Sequence, residues 1–349
     1  MATIPDSVLP QGSLVLVTGA NGLLGANVAD QFLHYGFNVR GAVRDTVKNA
    51  WLVPLFEGKY GKGRFELVQV KDVTLEGACA EAMKGVSAVA HVASDVSFGH
   101  DPNVVITNAI NGAVNVLKAA FAEPSIKRFV HCSSSAALGD VVPIGGEPRT
   151  LTQDDWNENM VKLAWAEPHV PQKAAPVYAA SKTQQEQAVW KFYKENKDKR
   201  PDLVLNTVLP NMNFGKSLDE ENMGYPSSSG FAVGVLSGKG FPFVNSMFNQ
   251  YYINVADTGR LHVAGATLPD VVDERIAGFA GPFHFDMFLD IAEKAYPNKT
   301  YERLGCKDDT WDIISFRDRA EEMLRRLGQP GWVSLEQTVL ENIPSALKA

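Results

Sequence analysis

One short segment constrains this chain more than any other. Residues 18–25 read TGANGLLG and follow directly on an apolar run, SLVLVT at Ser13–Thr18. Gly19, Gly22 and Gly25 stand three apart, and Gly22–Tyr35 carries Leu23, Leu24, Val28, Phe32 and Leu33 at helical spacing. A strand that turns into a helix through three glycines reads as a phosphate loop. The first glycine permits the turn, the second lets the backbone approach a pyrophosphate, and the third lets helix and strand pack closely. The helix start then offers unpaired N–H groups and its positive dipole end to the phosphates. Thr18, Gly19, Asn21, Gly22, Leu23, Leu24 and Gly25 are therefore expected to bind a dinucleotide.

The rest of the first half repeats the same alternation. Phe37–Val43, Arg64–Val70, Val86–Val92 and Arg128–Cys132 read as strands, with helical runs at Thr46–Tyr60, Leu75–Lys84 and Val104–Phe121. This predicts an α/β fold: a Rossmann-type doubly wound parallel sheet with helices on both faces and ligand at the strand C-termini. After Ser135 the regularity fades. Leu138–Pro176 is rich in proline and glycine, with a helical turn around Trp156–Trp165, then a helix at Tyr178–Asn196 and a strand at Leu203–Leu209. From Gly215 onward, loops and short helices suggest a smaller substrate lobe, and Pro330-Gly331-Trp332 breaks the last helical stretches. The expected division is a dinucleotide-binding domain over 1–210, carrying a loop-rich insertion at about 138–176, and a mainly substrate-binding lobe over 211–349, with some segments returning to the core.

Composition narrows the partners. The 349 residues fit about two domains at ~150 residues each. Thirty-three basic against 40 acidic residues give a net charge of −7. Such a surface repels a polyphosphate backbone, so no nucleic-acid partner is expected. Cys79, Cys132 and Cys306 form neither a zinc spacing nor a disulfide framework, and no metal is expected. No apolar run is expected to reach the ~18 residues of a membrane span, and Met1–Gln11 lacks a signal-peptide pattern. A cytoplasmic protein without a membrane partner is the expectation; monomer and homodimer are both compatible with the sequence.

The end of the second strand selects the dinucleotide. An NAD site usually places an acid there to accept from the ribose 2′-hydroxyl. Here Val43 is followed by Arg44, with Lys48 a turn beyond. A guanidinium is the bidentate partner of a 2′-phosphate, which favours NADPH; Asp45 is the feature that argues the other way. Asp72, with the backbone N–H of Val73, closes the third strand as an adenine contact or a helix cap. Ala93 and Ser94 end the fourth strand with small side chains, as expected beneath a cofactor, and His91 reads as a packed structural histidine.

Tyr178 and Lys182 are four residues apart on a helix and so share one face. Tyrosine has a reference pKa near 10, and a neighbouring ammonium would lower it toward the range of a working acid. A hydroxyl from Ser133-Ser134-Ser135, at the end of the fifth strand, is the candidate to bind a carbonyl oxygen beside the phenol.

With TGANGLLG, HVAS, KRFVHCSSS and YAASK in order, the chain resembles the extended branch of the short-chain dehydrogenase/reductase superfamily over roughly residues 12–215. VRGAVRD is similar to plant dihydroflavonol reductases, and VLPQGSLVLVTGANG, FVHCSSSAAL, QYYINVADTG and GQPGW resemble fungal NADPH-dependent aldehyde reductases of the aldehyde reductase II type over nearly the whole chain. The resemblance implies that Ser134 is the catalytic serine, Tyr178 the proton donor, and Lys182 a ligand of the nicotinamide ribose. It puts Arg44 on the 2′-phosphate, Pro210 and Asn211 beside the nicotinamide, and Phe98, Met247 and Gln250 on the substrate pocket. The family's strand end is Thr-Ser-Ser, whereas here it is Cys132-Ser133-Ser134-Ser135, so Ser135 stays open as the alternative. The 44 positions from Ser134 to Tyr178 imply an insertion over the pocket. The expected activity is NADPH-dependent reduction of small hydrophobic ketones, ketoesters or aldehydes. A nucleotide-sugar epimerase or dehydratase, and a non-catalytic NADP(H)-sensing protein, are the competing readings.

Overall fold

The computed structural model describes residues 2–94, 98–139, 147–240, 249–306 and 311–348. Six strands fall in the first part of the chain: β1 Leu14–Thr18, β2 Asn38–Val43, β3 Phe65–Gln69, β4 Ala88–His91, β5 Arg128–Cys132 and β6 Thr150–Leu151. Six more follow: β7 Val204–Pro210, β8 Met212–Phe214, β9 Gln250–Asn254, β10 Arg275–Gly278, β11 Gly281–Phe283 and β12 Ile313–Ile314. The first six helices are α1 Leu23–His34, α2 Leu52–Tyr60, α3 Ala80–Met83, α4 Pro102–Ala122, α5 Glu158–Trp165 and α6 Ala174–Asn196. The remainder are α7 Glu220–Met223, α8 Ser228–Ser237, α9 Val255–Thr267, α10 Phe285–Ala295, α11 Arg317–Arg326 and α12 Leu335–Lys348.

Seven strands form one parallel sheet in the order β10-β7-β5-β4-β1-β2-β3. The chain winds outward from β1 to β3, then returns to the other side through β4, so the direction switches between β1 and β4. Successive residues of a strand face opposite sides. Val15 and Val17 of β1 accordingly enter one core with Val28 and Phe32 of α1 and Leu261 of α9. Leu16 enters the other core, with Val116 and Leu117 of α4 and Val189 of α6. Both faces are covered, which is why the central strands β1 and β4 are mostly apolar.

Several boundaries differ from the sequence expectation. The helix expected from Thr46 begins only at Leu52, because Asp45 Oδ1 accepts from the N–H groups of Val47 and Lys48 and holds 46–50 as a turn. The helix expected at Leu75–Lys84 contracts to α3. Segments of the second half take part in the core: α9 packs against α1 and the sheet, and β10 extends the sheet beside β7. Its remaining strands form a three-stranded sheet, β11-β9-β8, and a two-stranded one in which β12 pairs with β6 of the insertion. One expectation is corrected outright: α4 has 21 residues and is long and apolar enough to cross a membrane by length and composition. Its apolar face (Val105, Ile106, Ala109, Ala113, Val116, Leu117 and Ala120) is buried inside the protein, as befits a crossover helix.

Candidate active site

The glycine loop sits where the sheet changes direction, and each glycine meets a different constraint. Gly19 has φ of 66°, a left-handed turn open to glycine, and a Cβ there would lie 3.0 Å from the Ala93 Cα. A Cβ at Gly25 would stand 2.0 Å from the Gly19 carbonyl oxygen, so this glycine is required by packing. At Gly22 the nearest atom to a Cβ would be the same oxygen, at 3.5 Å. The middle glycine therefore meets a single ordinary contact and leaves its mouth side clear, where a dinucleotide pyrophosphate fits. Asn21 is exposed and Leu24 half-buried at this mouth, whereas Leu23 is buried. The Thr18 hydroxyl is not free for a ligand. It is within 2.8 Å of His91 Nδ1 and accepts from the N–H groups of Val92 and Ala93 at 3.0 Å each, tying the ends of β1 and β4 together.

At the end of β2 the two neighbouring charges have different employment. Asp45 is engaged in its turn, as above. Arg44 is exposed, and its guanidinium has no hydrogen bond or ion pair among the described residues. Arg40, by contrast, is held by Glu66 at 2.6 Å and by the Ala82 and Lys84 carbonyls. Lys48 is exposed beside Arg44. Asp72 Oδ1 accepts from the Thr74 N–H and hydroxyl, which hold the carboxyl below its usual range, with a smaller contribution from Arg44. Asp72 thus closes a local turn and caps no helix, since α3 begins only at Ala80 after Cys79, with half-buried Val73 beside it.

Tyr178 lies on the part of α6 that packs against the turn after β5, and the Ser134 hydroxyl stands near enough to its phenol to draw its pKa down. Ser134 has extended backbone, φ −159°, and caps the short 3-10 turn Ser135–Ala137 by accepting from Ala136 N–H at 3.2 Å. Ser133 turns the other way, donating to Glu186 at 2.7 Å. Of the three consecutive serines, Ser134 is the one that meets the tyrosine. Phe98 lies against the same ring, centroids 5.1 Å apart, and is 45 % exposed.

Lys182 corrects one expectation. Its ammonium was expected to draw the phenol pKa down. Burial instead pushes the Tyr178 phenol above its ordinary value, opposed by the nearby Ser134 hydroxyl, while Lys182 Nζ donates to Ser94 Oγ at 2.9 Å. Burial also lowers the Lys182 pKa, which Cys132 and Glu186 partly offset. Asn211, following β7 and Pro210, donates its N–H to Gly278 at 3.0 Å, and its buried Nδ2 has no partner among the described residues. An unpaired amide at a ligand edge suits the polar carboxamide of a nicotinamide. Gln250 opens β9 opposite Phe283, in the sheet whose β8 follows Asn211. Met247 lies outside the described residues. No group of three or more His, Cys, Asp or Glu among the described residues could hold a metal. Sequence reading missed Glu186 and Arg275; the i, i+4 spacing of Glu186 after Lys182 was a usable signal.

A glycine loop at the switch of a doubly wound sheet, with a hydroxyl, a phenol and an ammonium at the next strand ends, defines a dinucleotide-dependent short-chain dehydrogenase/reductase site. The chain belongs to the NAD dependent epimerase/dehydratase family, whose pattern matches residues 15–201, and to the extended branch of that superfamily. It is 40% identical over 348 residues to Aldehyde reductase 2 of Sporidiobolus salmonicolor, covering 99% of each chain. It is 34% identical to the NAD-dependent epimerase/dehydratase terH of Aspergillus terreus, over 98% of this chain and 99% of that protein. Its fold matches that of Candida albicans Gre2 in complex with NADPH, with TM-score 0.80, 23% identity, and coverage of 97% and 99% of the two chains.

Proposed function

We infer that this protein reduces aldehydes and ketones to alcohols with NADPH. The observation that carries the reading is the juxtaposition of Ser134 and Tyr178, where α6 packs on the turn after β5 at the sheet edge beside the glycine loop. Two hydroxyls so placed form a cradle for one carbonyl oxygen, and the name of the Sporidiobolus relative, an aldehyde reductase, supports it. The Ser134 hydroxyl orients the oxygen; the Tyr178 phenol, kept protonated by burial, delivers its proton to the alkoxide as charge develops. NADPH, when bound, supplies the hydride. Gly22 and the start of α1 take its pyrophosphate, Arg44 and Lys48 its 2′-phosphate, Asp72 and Val73 its adenine. Ala93, Ser94, Pro210 and Asn211 border the nicotinamide, and Lys182 holds the ribose next to it. Phe98 offers an apolar wall, which favours small hydrophobic carbonyl compounds.

The freedom of Arg44, with Asp45 turned away, stands against the NAD-preferring epimerase alternative. The test mixes the protein with NADPH and a panel of aryl ketones and aliphatic aldehydes and follows loss of cofactor absorbance. Turnover by the native chain is expected, and Tyr178→Phe should reduce it by about 10²–10⁴-fold with NADPH affinity nearly intact. Full turnover by Tyr178→Phe overturns the acid assignment, and no consumption by the native chain overturns the reductase reading.

A further inference from the structure

Beneath the site, four residues beyond Lys182 on α6, Glu186 is wholly buried. Its Oε2 accepts from Ser133 Oγ at 2.7 Å, and its Oε1 from Thr207 Oγ1 at 2.8 Å and Trp190 Nε1 at 3.2 Å. Arg275, from β10, grips both oxygens, through Nε at 2.8 Å and Nη2 at 3.1 Å. One carboxylate thus fastens β7, β10 and the end of β5 to the helix that carries Tyr178 and Lys182.

Arg275 also reaches the insertion. Its Nη1 donates to the carbonyls of Gln153 and Asp155 at 2.6 and 2.8 Å, and its guanidinium carbon lies 3.9 Å from the centre of the Trp156 ring. Asn157, next along, donates its N–H to Ala137 and its Nδ2 to Ala136, each at 3.0 Å. Those carbonyls belong to the turn that Ser134 caps. The insertion therefore holds the catalytic serine's turn from one side while Arg275 and Glu186 hold Ser133 from the other.

Removing two charges from water is costly, and well-packed apolar groups could join the same elements without that cost. A carboxylate with this many directed donors is a weak way to gain stability but an effective way to set direction. We propose that Glu186 is a positioning residue, aligning the Ser134 hydroxyl with Tyr178 through its grip on Ser133, and that Arg275 makes this alignment depend on the insertion. The inference rests on the roles given above to Ser134 and Tyr178. Its substance is geometric: Ser133 and Ser134 diverge from an extended backbone, so fixing the first side chain fixes the aim of the second.

The experiment compares Ser133→Ala, Glu186→Gln and Arg275→Lys with the native chain and Tyr178→Phe. It measures kcat, KM for an aryl ketone, NADPH affinity, thermal midpoint, and the solvent deuterium isotope effect on kcat. Ser133→Ala removes one hydrogen bond and leaves the ion pair in place, so the test survives if Glu186→Gln fails to fold. A misaimed hydroxyl should lower kcat about tenfold and raise the isotope effect, because proton delivery becomes slower, with KM and NADPH affinity within about twofold. Ser133→Thr, which keeps the hydroxyl, should recover most of the lost kcat. Unchanged kcat in Ser133→Ala overturns the proposal, as does a loss of kcat that merely follows a loss of folded, NADPH-binding protein. Undiminished turnover by Tyr178→Phe would instead sink the underlying reading, so the two failures are distinct.

Discussion

Lys182 Nζ donates to Ser94 Oγ at 2.9 Å, bridging α6 to the residues just after β4. The ammonium is thereby directed to the strand end over which a dinucleotide would pass. The Tyr178 phenol, with its pKa raised by burial, has the Ser134 hydroxyl nearby to offset that rise.

A pH profile follows from that arrangement. The donor form of Tyr178 is the protonated one, and a pKa held above 10 keeps it protonated through neutral and mildly alkaline pH. Single-turnover reduction should hold a plateau from about pH 7 to about pH 9, declining only beyond the ordinary phenol range of about 10. An alkaline decline centred near pH 7 would show that the bound complex draws the phenol down and that the arrangement seen here is not the reacting one.

Arg44→Ala tests the cofactor preference. Loss of a charge-assisted phosphate contact should weaken NADPH by about 1.5–3 kcal/mol, read by titrating the quenching of protein fluorescence. NADH affinity should stay nearly unchanged, since it lacks the 2′-phosphate. Equal losses for the two cofactors would remove Arg44 as the discriminating residue.

The loop glycines should separate folding from binding. Gly25→Ala drives a Cβ to 2.0 Å from the Gly19 oxygen and should yield little folded protein. Gly22 has φ of −87°, which any residue adopts, and its Cβ would meet only the Gly19 carbonyl oxygen, at an ordinary contact distance of 3.5 Å. Gly22→Ala should therefore fold with a near-native thermal midpoint yet bind NADPH at least tenfold more weakly, about 1.4 kcal/mol. Native affinity in that variant would contradict the pyrophosphate position.

Buried imidazoles set an acid limit on stability. Burial, aided by the Lys182 charge, lowers His91 to about 3, and burial lowers His262 to about 4; His131 is likewise depressed. These histidines are neutral when folded, whereas the unfolded chain takes up protons below its pKa near 6.5. Stability is thus fully present above about pH 7 and falls as pH drops through 6.5, by about 2 kcal/mol for each of His91 and His262 at pH 5. Urea midpoints at pH 7.5 and 5.0 check this; equal midpoints would mean that these rings are already protonated in the native state.

Much of the architecture and part of the site were legible because they rest on interactions between near neighbours in the chain. Strands buried on both faces are continuous apolar runs, the turn into α1 needs glycines at 19 and 25, and Tyr178 and Lys182 share a face because a helix repeats every 3.6 residues. The tertiary structure decided what depends on partners far away. Ser134 rather than Ser135 meets Tyr178, 44 positions distant; Thr18 is claimed by the end of β4; Lys182 turns to Ser94; and Glu186 waits for Arg275, 89 residues later. A hydroxyl or a charge has the same local chemistry whether it faces ligand, solvent or another strand. Only the packing of the sheet and its helices determines which of these it meets.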